Sequence, residues 1–562
     1  MDDKAKAYLE MAQSLFNAQG ASRRAWQGVV SKVMPELLPP SVLAENKAGV
    51  DKQKRTCPEA AEAVKKLASA HSNYITPIGF RFFRFADWSP GKTETDAAVD
   101  KWYAHATDVA QEAIERSNFH TAIISVYIDR VATGTGLLYS EADEATGELN
   151  FQHIPAGTYA IAEDASHNIC TVVREFKLTA AQIAQKFGEG RMSADMKRAL
   201  ASPDERYKTE FVILHVVTPR KAYIDSFRDV PREKMRYASV YLDKAHGEIL
   251  REDGYMEMPY MCTRFLRYGN QVYGCSPLVS VARAIDDLIV LNQCVVTTAQ
   301  RCAIPSVLVP PDMVGLVDFR AGGQTVLPVQ YLNSQVPREF APPTDARIVL
   351  EHRQALVDIV EGALFIPLLE VVSRVDRTMS ATEANYREQE RIMTFTQSFT
   401  QCVSDFRPLM NRVFALLLRA GKLPERNMPA NLVTRQVEGQ RVVREYLNFP
   451  RVAYIGRMAQ AYERNQMTGA EIAMTKLVQL GSVLQNPKLT MIFDWDAFAR
   501  DTAVSNGMPA KYLLEPEEVD ELYSALLRER QAQMSAETSL AEAQAREHNA
   551  NATAALAQAQ SL

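Results

Sequence analysis

The first 130 residues carry apolar positions at helical spacing. In the stretch 5–18, Tyr8, Met11, Leu15 and Phe16 share one face. The same period predicts helices over 58–72, with Pro58 in the first turn, over 95–116 and over 119–131, with Ser117 and Asn118 placed to cap the last. From about 134 to 267 the period changes to two. Residues 137–154 form two apolar runs around an acidic, glycine-containing turn, which signals a hairpin. Strands follow at 171–178, 210–219, 238–250 (a hairpin about Gly247) and 259–268. Thr179 caps a short helix closed by Gly188. This region reads as an α+β unit with a largely antiparallel sheet.

The pattern then becomes unusual. Residues 276–302 read as one helix of roughly 40 Å, with Pro277 in its first turn. Residues 305–343 are rich in Pro, Val and Gly and suit a small β or extended module. Helix resumes over 344–364, and a charged loop follows. Residues 380–419 form a helix of roughly 60 Å in which Pro408 lacks an N–H, so a kink is expected just before it. A strand at 442–450 and helices at 453–466, 468–480 and 516–542 complete the chain. The Ala/Gln/Glu-rich end, 532–562, suits an exposed helix or a frayed tail. The fold class is α+β, mainly helical. Two long helices flanking a small module project it from the body. One such pair buries little apolar surface, so side-by-side repetition in a homo-oligomeric ring is expected.

Composition narrows the function. The 562 residues are 47% apolar and 23% charged, a globular balance that calls for two to four structural units. The net charge of −5, from 63 basic and 68 acidic residues, argues against a broadly basic nucleic-acid coat. It leaves room for a protein that only lets nucleic acid pass. Seven scattered cysteines without a CxxC pair point to a reducing compartment rather than disulfides or zinc. The amphipathic N-terminus is not a signal peptide. The apolar stretch 285–309 is interrupted by Asp286, Asp287, Asn292, Gln293, Gln300 and Arg301 and does not span a bilayer. A soluble protein with no membrane partner, made in a cytoplasm, is expected.

Candidate chemistry is sparse. Ala86 to Thr93 fit a loose nucleotide-loop pattern ending in Gly91-Lys92-Thr93. Pro90 removes a donor where one is needed, Trp88 is bulky, and the run ending in Asp129 reads as an amphipathic helix rather than a magnesium-binding strand. A surface loop is the better reading, with an ATPase as the alternative. The histidines show no metal spacing and no nucleophile elbow is present, so neither catalysis nor a cofactor is expected. Glu361, Glu370, Asp376 and Glu383 suit solvated faces or subunit contacts. Gly134 and Gly136 run from helix to turn to strand, the reverse of a phosphate loop, so no helix N-terminus is expected to face them, and they serve a backbone reversal.

Several short motifs fall in one order along the chain. They are Gly134-Thr135 to Tyr139, Ile154-Pro155-Ala156-Gly157-Thr158-Tyr159, Tyr273-Gly274-Cys275-Ser276-Pro277, residues 304–310, Met379-Ser380-Ala381-Thr382-Glu383, and residues 451–460. Together they resemble the head-to-tail connector, or portal, proteins of short-tailed, podovirus-type bacteriophages. Each motif alone is soft; their colinearity makes the resemblance specific, and it departs only in the Ala/Gln-rich tail. The resemblance implies a wing (1–275 and 381–455), a stem (276–304 and 344–363), a clip (305–343), a channel loop (364–380) and a C-terminal crown (456–562). It implies a dodecameric ring at one capsid vertex of the virion, assembled in the bacterial host cytoplasm. Double-stranded DNA would pass through without sequence specificity. The partners implied are the terminase large subunit, which hydrolyses the ATP, a tail adaptor or head-completion protein, and the major capsid and scaffolding proteins. On that layout Glu370, Arg374, Asp376 and Arg377 are candidates for the channel loop. Val307, Val309, Phe319, Arg320, Val329 and Arg338 are candidates for clip docking or subunit contact, and Pro408 marks the helix kink. Another phage internal structural protein is a further alternative.

Overall fold

The computed structural model describes residues 3–38, 56–87, 97–143, 146–228, 230–303, 306–309, 314–315, 317–318, 338–340, 346–370, 381–424, 428–438, 441–455, 473–480, 498–499, 502–503, 514 and 516–560. They fall into two units, Met1–Ala459 and Gln460–Leu562.

The first unit opens with α1 (Asp3–Val33), much longer than its apolar stripe announced, then α2 (Pro58–Ile75), the short strand β1 (Phe83–Ala86), α3 (Ala97–Arg116) and α4 (Phe119–Thr133). Asn118 does not cap α4. Its amide instead brackets Phe151, donating to the carbonyl and accepting from the N–H, both at 2.8 Å. Next come β2 (Thr135–Ala142), β3 (Leu149–Ile154), β4 (Tyr159–Glu163) and β5 (Ile169–Thr179). α5 (Ala180–Phe187) starts in a capping box between Thr179 and Gln182, and α6 (Ala194–Ala201) on a Ser193 cap. Then follow β6 (Glu210–Pro219), β7 (Tyr237–Asp243), β8 (Ile249–Tyr255) and β9 (Tyr260–Arg264).

These strands are all antiparallel but make two sheets rather than one. β4 to β8 form a five-stranded meander, whereas β9 leaves it to pair with β2, giving the order β3-β2-β9. The alternation within each strand serves two cores. Val172 and Val217 face the small sheet, packed with Leu137, Tyr139, Ile161 and Tyr260. Their neighbours Val173 and Val216 face the N-terminal half of α1, against Ala5 and Ala12.

The expected single helix over 276–302 is divided. α7 (Pro277–Ser280) ends at Val281, and α8 (Ala282–Ala303) begins at once. Ser276 caps the first by accepting from the Leu278 N–H. β10 (Ser306–Leu308) pairs with β11 (Arg338–Phe340), and α9 (Ala346–Ala363) follows. The stretch expected to be loop from 364 begins instead with a short helix, α10 (Ile366–Glu370). α11 (Ala381–Arg419) is helical through Pro408. β12 (Val433–Glu438) and β13 (Arg441–Leu447) form a hairpin, and β14 (Arg451–Tyr454) pairs with β1. The helix expected to start at 453 therefore gives way to strand at Ala453 and Tyr454, because Phe83 and Arg84 supply their ladder partners.

The main core joins Trp26 and Val30 of α1, Val64 and Leu67 of α2, Phe83 and Phe85 of β1, Ile123 and Tyr127 of α4, and Phe406 and Phe414 of α11. In the second unit α12 (Pro516–Gln560) is one helix of 45 residues, which decides the tail in favour of helix over that range. No helix among the described residues is long and apolar enough to cross a membrane.

Candidate functional site

Three of the short motifs, far apart in sequence, meet where the α8–α9 pair springs from the sheets. α4 ends at Gly134, whose φ of 88° is left-handed. The Gly134 carbonyl accepts from the Phe265 N–H at 2.9 Å, and Thr135 Oγ1 accepts from the Gly274 N–H at 3.0 Å. Tyr159 Oη donates to the Thr135 carbonyl at 3.1 Å, and Tyr273 Oη accepts from the Ile161 N–H at 2.9 Å. Ser276 Oγ donates to the Val131 carbonyl at 2.8 Å.

The two glycine motifs are in backbone contact. A Cβ on Gly134 would stand 2.3 Å from the Gly274 oxygen, and one on Gly274 2.1 Å from the Gly134 oxygen. A Cβ on Gly136 would stand 2.4 Å from the Val126 oxygen. Ser276, at the start of α7, does face Gly134. Its amide nitrogen would lie 2.7 Å from that added carbon, so backbone fills the space a phosphate would need. These glycines let two backbones cross.

Beside this crossing lies a buried polar pair. His71 Nδ1 is 2.8 Å from the Leu67 carbonyl, which only accepts, so Nδ1 carries the proton. Nε2 then accepts from Arg130 Nη1 at 2.7 Å. Burial, with the Arg130 charge, pushes the imidazole down to about 3. Arg130 also donates from Nε to the Arg264 carbonyl at 3.2 Å, which ties α4 to β9.

The pair α8–α9 is anchored at one end. Ile285, Leu288, Val357 and Val360 enter the main core. Glu59, in the first turn of α2, accepts from Asn292 Nδ2 at 3.1 Å and from Arg353 Nη2, while Arg353 Nε donates to Asn292 Oδ1 at 2.6 Å. Burial alone would raise the Glu59 carboxyl. Its own backbone amide, Asn292 and Arg353 outweigh that and hold it below its ordinary value. Lys32 reaches Asp286 at 2.6 Å.

Beyond the anchor the helices are bare. No residue from 289 to 301 or from 347 to 355 is buried. Val290 and Val296 are each 55% exposed, Ile348 and Leu350 lie at 65% and 51%, and Ile359, on the outer side of the anchored end, at 52%. Val290 and Val296 are about 120° apart round their helix, and Ile348 and Leu350 about 160°. Apolar surface thus faces both flanks of the pair.

α11 is held to the sheets by charge. Arg412, 3% exposed, donates to the Ser140 carbonyl, the Ser140 hydroxyl and the Glu257 carbonyl at 3.0–3.2 Å. Arg419 clasps the Glu257 carboxylate with two bonds of 2.7 and 2.6 Å.

The sequence candidates are distributed unevenly. Val307 is central in β10 opposite Glu339, Arg338 is in β11 opposite Leu308, and Val309 follows β10, half-buried. Phe319, Arg320 and Val329 lie outside the described residues, as do Arg374, Asp376 and Arg377. Glu370 is the last residue of α10. Trp88 to Thr93 of the nucleotide-loop pattern also lie outside, but their context is described. The preceding strand, β1, is antiparallel to β14. Asp129 is 1% exposed in α4, where it accepts from His153 Nε2 at 2.7 Å and the Ala156 N–H at 3.0 Å. It is a structural acceptor, not a magnesium ligand on a strand. Among the described residues no group of three metal-ligating side chains occurs. Sequence reasoning missed the Glu59–Asn292–Arg353 and Arg412–Glu257–Arg419 clusters, whose members carry no local pattern.

Comparison with known proteins fits this architecture. The chain is 26% identical over 389 residues to the probable portal protein of Bordetella phage BPP-1, covering 64% of this chain and 65% of that protein, a little under two thirds of its length. It is 22% identical over 426 residues to the portal protein of Salmonella phage epsilon15, covering 72% of this chain and 74% of the relative. The profile of the family described as bacteriophage head to tail connecting protein matches residues 5–514. The chain belongs to the bacteriophage head to tail connecting protein family.

Proposed function

We propose that this chain is the subunit of a portal ring at one vertex of a phage capsid. Double-stranded DNA is packaged and ejected through the ring, which docks the terminase during packaging and a tail adaptor afterwards. The observation that carries the reading beyond family membership is the bare outer half of the α8–α9 pair, with apolar side chains on both flanks. A ring subunit meets a different surface of its neighbour on each side, and two apolar flanks suit such head-to-tail contacts. Both relatives carry the name portal protein. Twelve subunits, assembly in the bacterial cytoplasm and contacts with capsid and scaffolding proteins belong to the same reading.

The function is geometric and needs no catalysis by this chain. A channel must let phosphates slide, since many cationic contacts would hold DNA through counterion release. Arg374 and Arg377 are assigned to the lumen, tempered by Glu370 and Asp376. The segment 305–343 is assigned to docking, with Val307, Val309, Phe319 and Val329 as subunit contacts and Arg320 and Arg338 as candidates at the docking face. Negative-stain microscopy of the purified protein tests the reading. Rings with a central hole are expected, and monodisperse monomers under all conditions would refute it.

A further inference from the structure

The bare surface of α9 is organised. Ile348, His352, Ala355, Ile359 and Gly362 are all exposed and follow one another at steps of four and three. That spacing makes a seam on which a helix receives a second helix lengthwise. Ile348 and Ile359 supply bulk, and Ala355 and Gly362 leave room for close approach. A Cβ on Gly362 would meet nothing within 4 Å. The outer side of α8 carries the same steps in Arg283, Asp287, Val290, Cys294 and Thr297, of which only Thr297 is half-buried.

Register and curvature select a second copy of this chain as the occupant. In the antiparallel pair α8–α9, Asn292 stands opposite Arg353. Rotation about a ring axis leaves a residue's height along that axis unchanged. For a pair lying along the axis, a neighbour's α8 therefore reaches α9 in the same register. Continued from Asn292 and Arg353, that register sets Thr297 level with Ile348, Val290 with Ala355 and Arg283 with Gly362. The two seams coincide layer by layer, and the bare Gly362 leaves space for the Arg283 stem. Curvature follows from the helix period. Each seam lies about 140° round its helix from the side that faces the partner helix. Both seams turn to the same side of the pair, away from the core residues Ile285 and Val357. Repetition of the contact therefore bends one way and closes, as a ring requires.

We propose that α8 of a neighbouring copy packs antiparallel along the α9 seam, with Val290 on Ala355 and Thr297 on Ile348. The assignment rests on the ring reading and adds which faces meet and in what register.

The test is disulfide trapping in the full-length chain. Cys294 is exposed, and in this register it lies beside residue 352 of the next copy. Facing seam positions bring Cβ atoms within the roughly 4 Å that a disulfide needs. His352→Cys, oxidised with diamide, should therefore give a ladder of covalent multimers on non-reducing gels. The ladder should vanish in His352→Cys/Cys294→Ser. Gln354→Cys, exposed on α9 but about 120° round from the seam, should give no more than the parent. Gly362→Leu meets open space within its own chain. It should keep the parental circular dichroism spectrum and lose rings in negative stain. Normal rings with no ladder from His352→Cys, an equal ladder from Gln354→Cys, or intact rings from Gly362→Leu would each overturn this register and leave the ring reading standing. Monomers in the parent would sink both.

Discussion

Replacing Gly134 by alanine should unseat the α8–α9 pair from the sheets. Two penalties combine. The residue sits at φ 88°, where an L side chain costs about 1–2 kcal/mol. The new methyl would also stand 2.3 Å from the Gly274 oxygen and 2.7 Å from the Ser276 nitrogen, both backbone atoms. Clearing it requires the two backbones to part by about 1 Å, because carbon–oxygen contacts settle well beyond 3 Å. That movement strains the bonds Phe265 N–H to Gly134 and Gly274 N–H to Thr135, now 2.9 and 3.0 Å long. Each buried bond lost costs about 1–3 kcal/mol. The sum is about 3–8 kcal/mol, a large part of a typical domain's stability. Gly28→Ala provides the contrast, since nothing lies within 4 Å in the middle of α1 and a gain of about 0.5–1 kcal/mol is expected. Gly274→Ala carries the clash without a left-handed φ and should fall between them. Urea unfolding followed through buried Trp26 and Trp102 reads the midpoints, and hydrogen exchange over 282–303 reads the seating of α8. If Gly134→Ala unfolds at the parental midpoint, or Gly28→Ala costs as much, the crossing does not have the role assigned to it.

Three other expectations follow from named contacts. His71 has a folded pKa of about 3 against about 6.5 unfolded, so stability is full above pH 6.5 and falls by about 1.4 kcal/mol per unit as pH drops through that window; His71→Gln should flatten urea midpoints between pH 6.5 and 5 by that slope, and an unchanged slope refutes the neutral imidazole. Arg353→Ala should cost about 1–2 kcal/mol, because a half-buried clamp loses two bonds to Glu59 and Asn292; equal hydrogen exchange in α8 and α9 of parent and variant would count against it. Val290→Asp/Ile359→Asp should leave the circular dichroism spectrum intact and abolish higher oligomers in sedimentation velocity, whereas persistent rings would show that these flanks are not the subunit contact.

Legibility in the sequence followed the range of the interactions. The period-two stretches and the Thr179 cap were readable because each depends on residues within a turn or a strand. The α+β class followed from that periodicity. Helix ends were less so: α1 runs to Val33 because Trp26 and Val30 pack on α2, a partner more than thirty residues on. β14 was read as the start of a helix because its ladder partner lies at Phe83 to Ala86. The separation of two sheets was invisible for the same reason, since nothing in residues 260–264 names β2 as their neighbour. Of the functional surfaces, the motif residues Gly134, Tyr159, Tyr273 and Ser276 could be picked out, but not that they touch. Glu59 and Arg353, 294 residues apart, carry no mark of each other.

The return of β9 to β2 has a consequence for how such a chain can change. β3 ends at Ile154 and β9 begins at Tyr260, on either side of the same strand. Neighbouring strands lie about 4.8 Å apart and the two ends are offset by two residues along β2, so the ends of the intervening segment are separated by only about 12 Å. Everything from 155 to 259 is therefore an inserted module, spliced into the three-stranded sheet at a narrow neck. Away from Tyr159 and Ile161, whose bonds to Thr135 and Tyr273 belong to the crossing, such a module can change its surface while Gly134 and Gly274 keep their geometry. The outer strands of the five-stranded meander are the part of this protein most open to divergence, and the small sheet beneath is the part that must stay still.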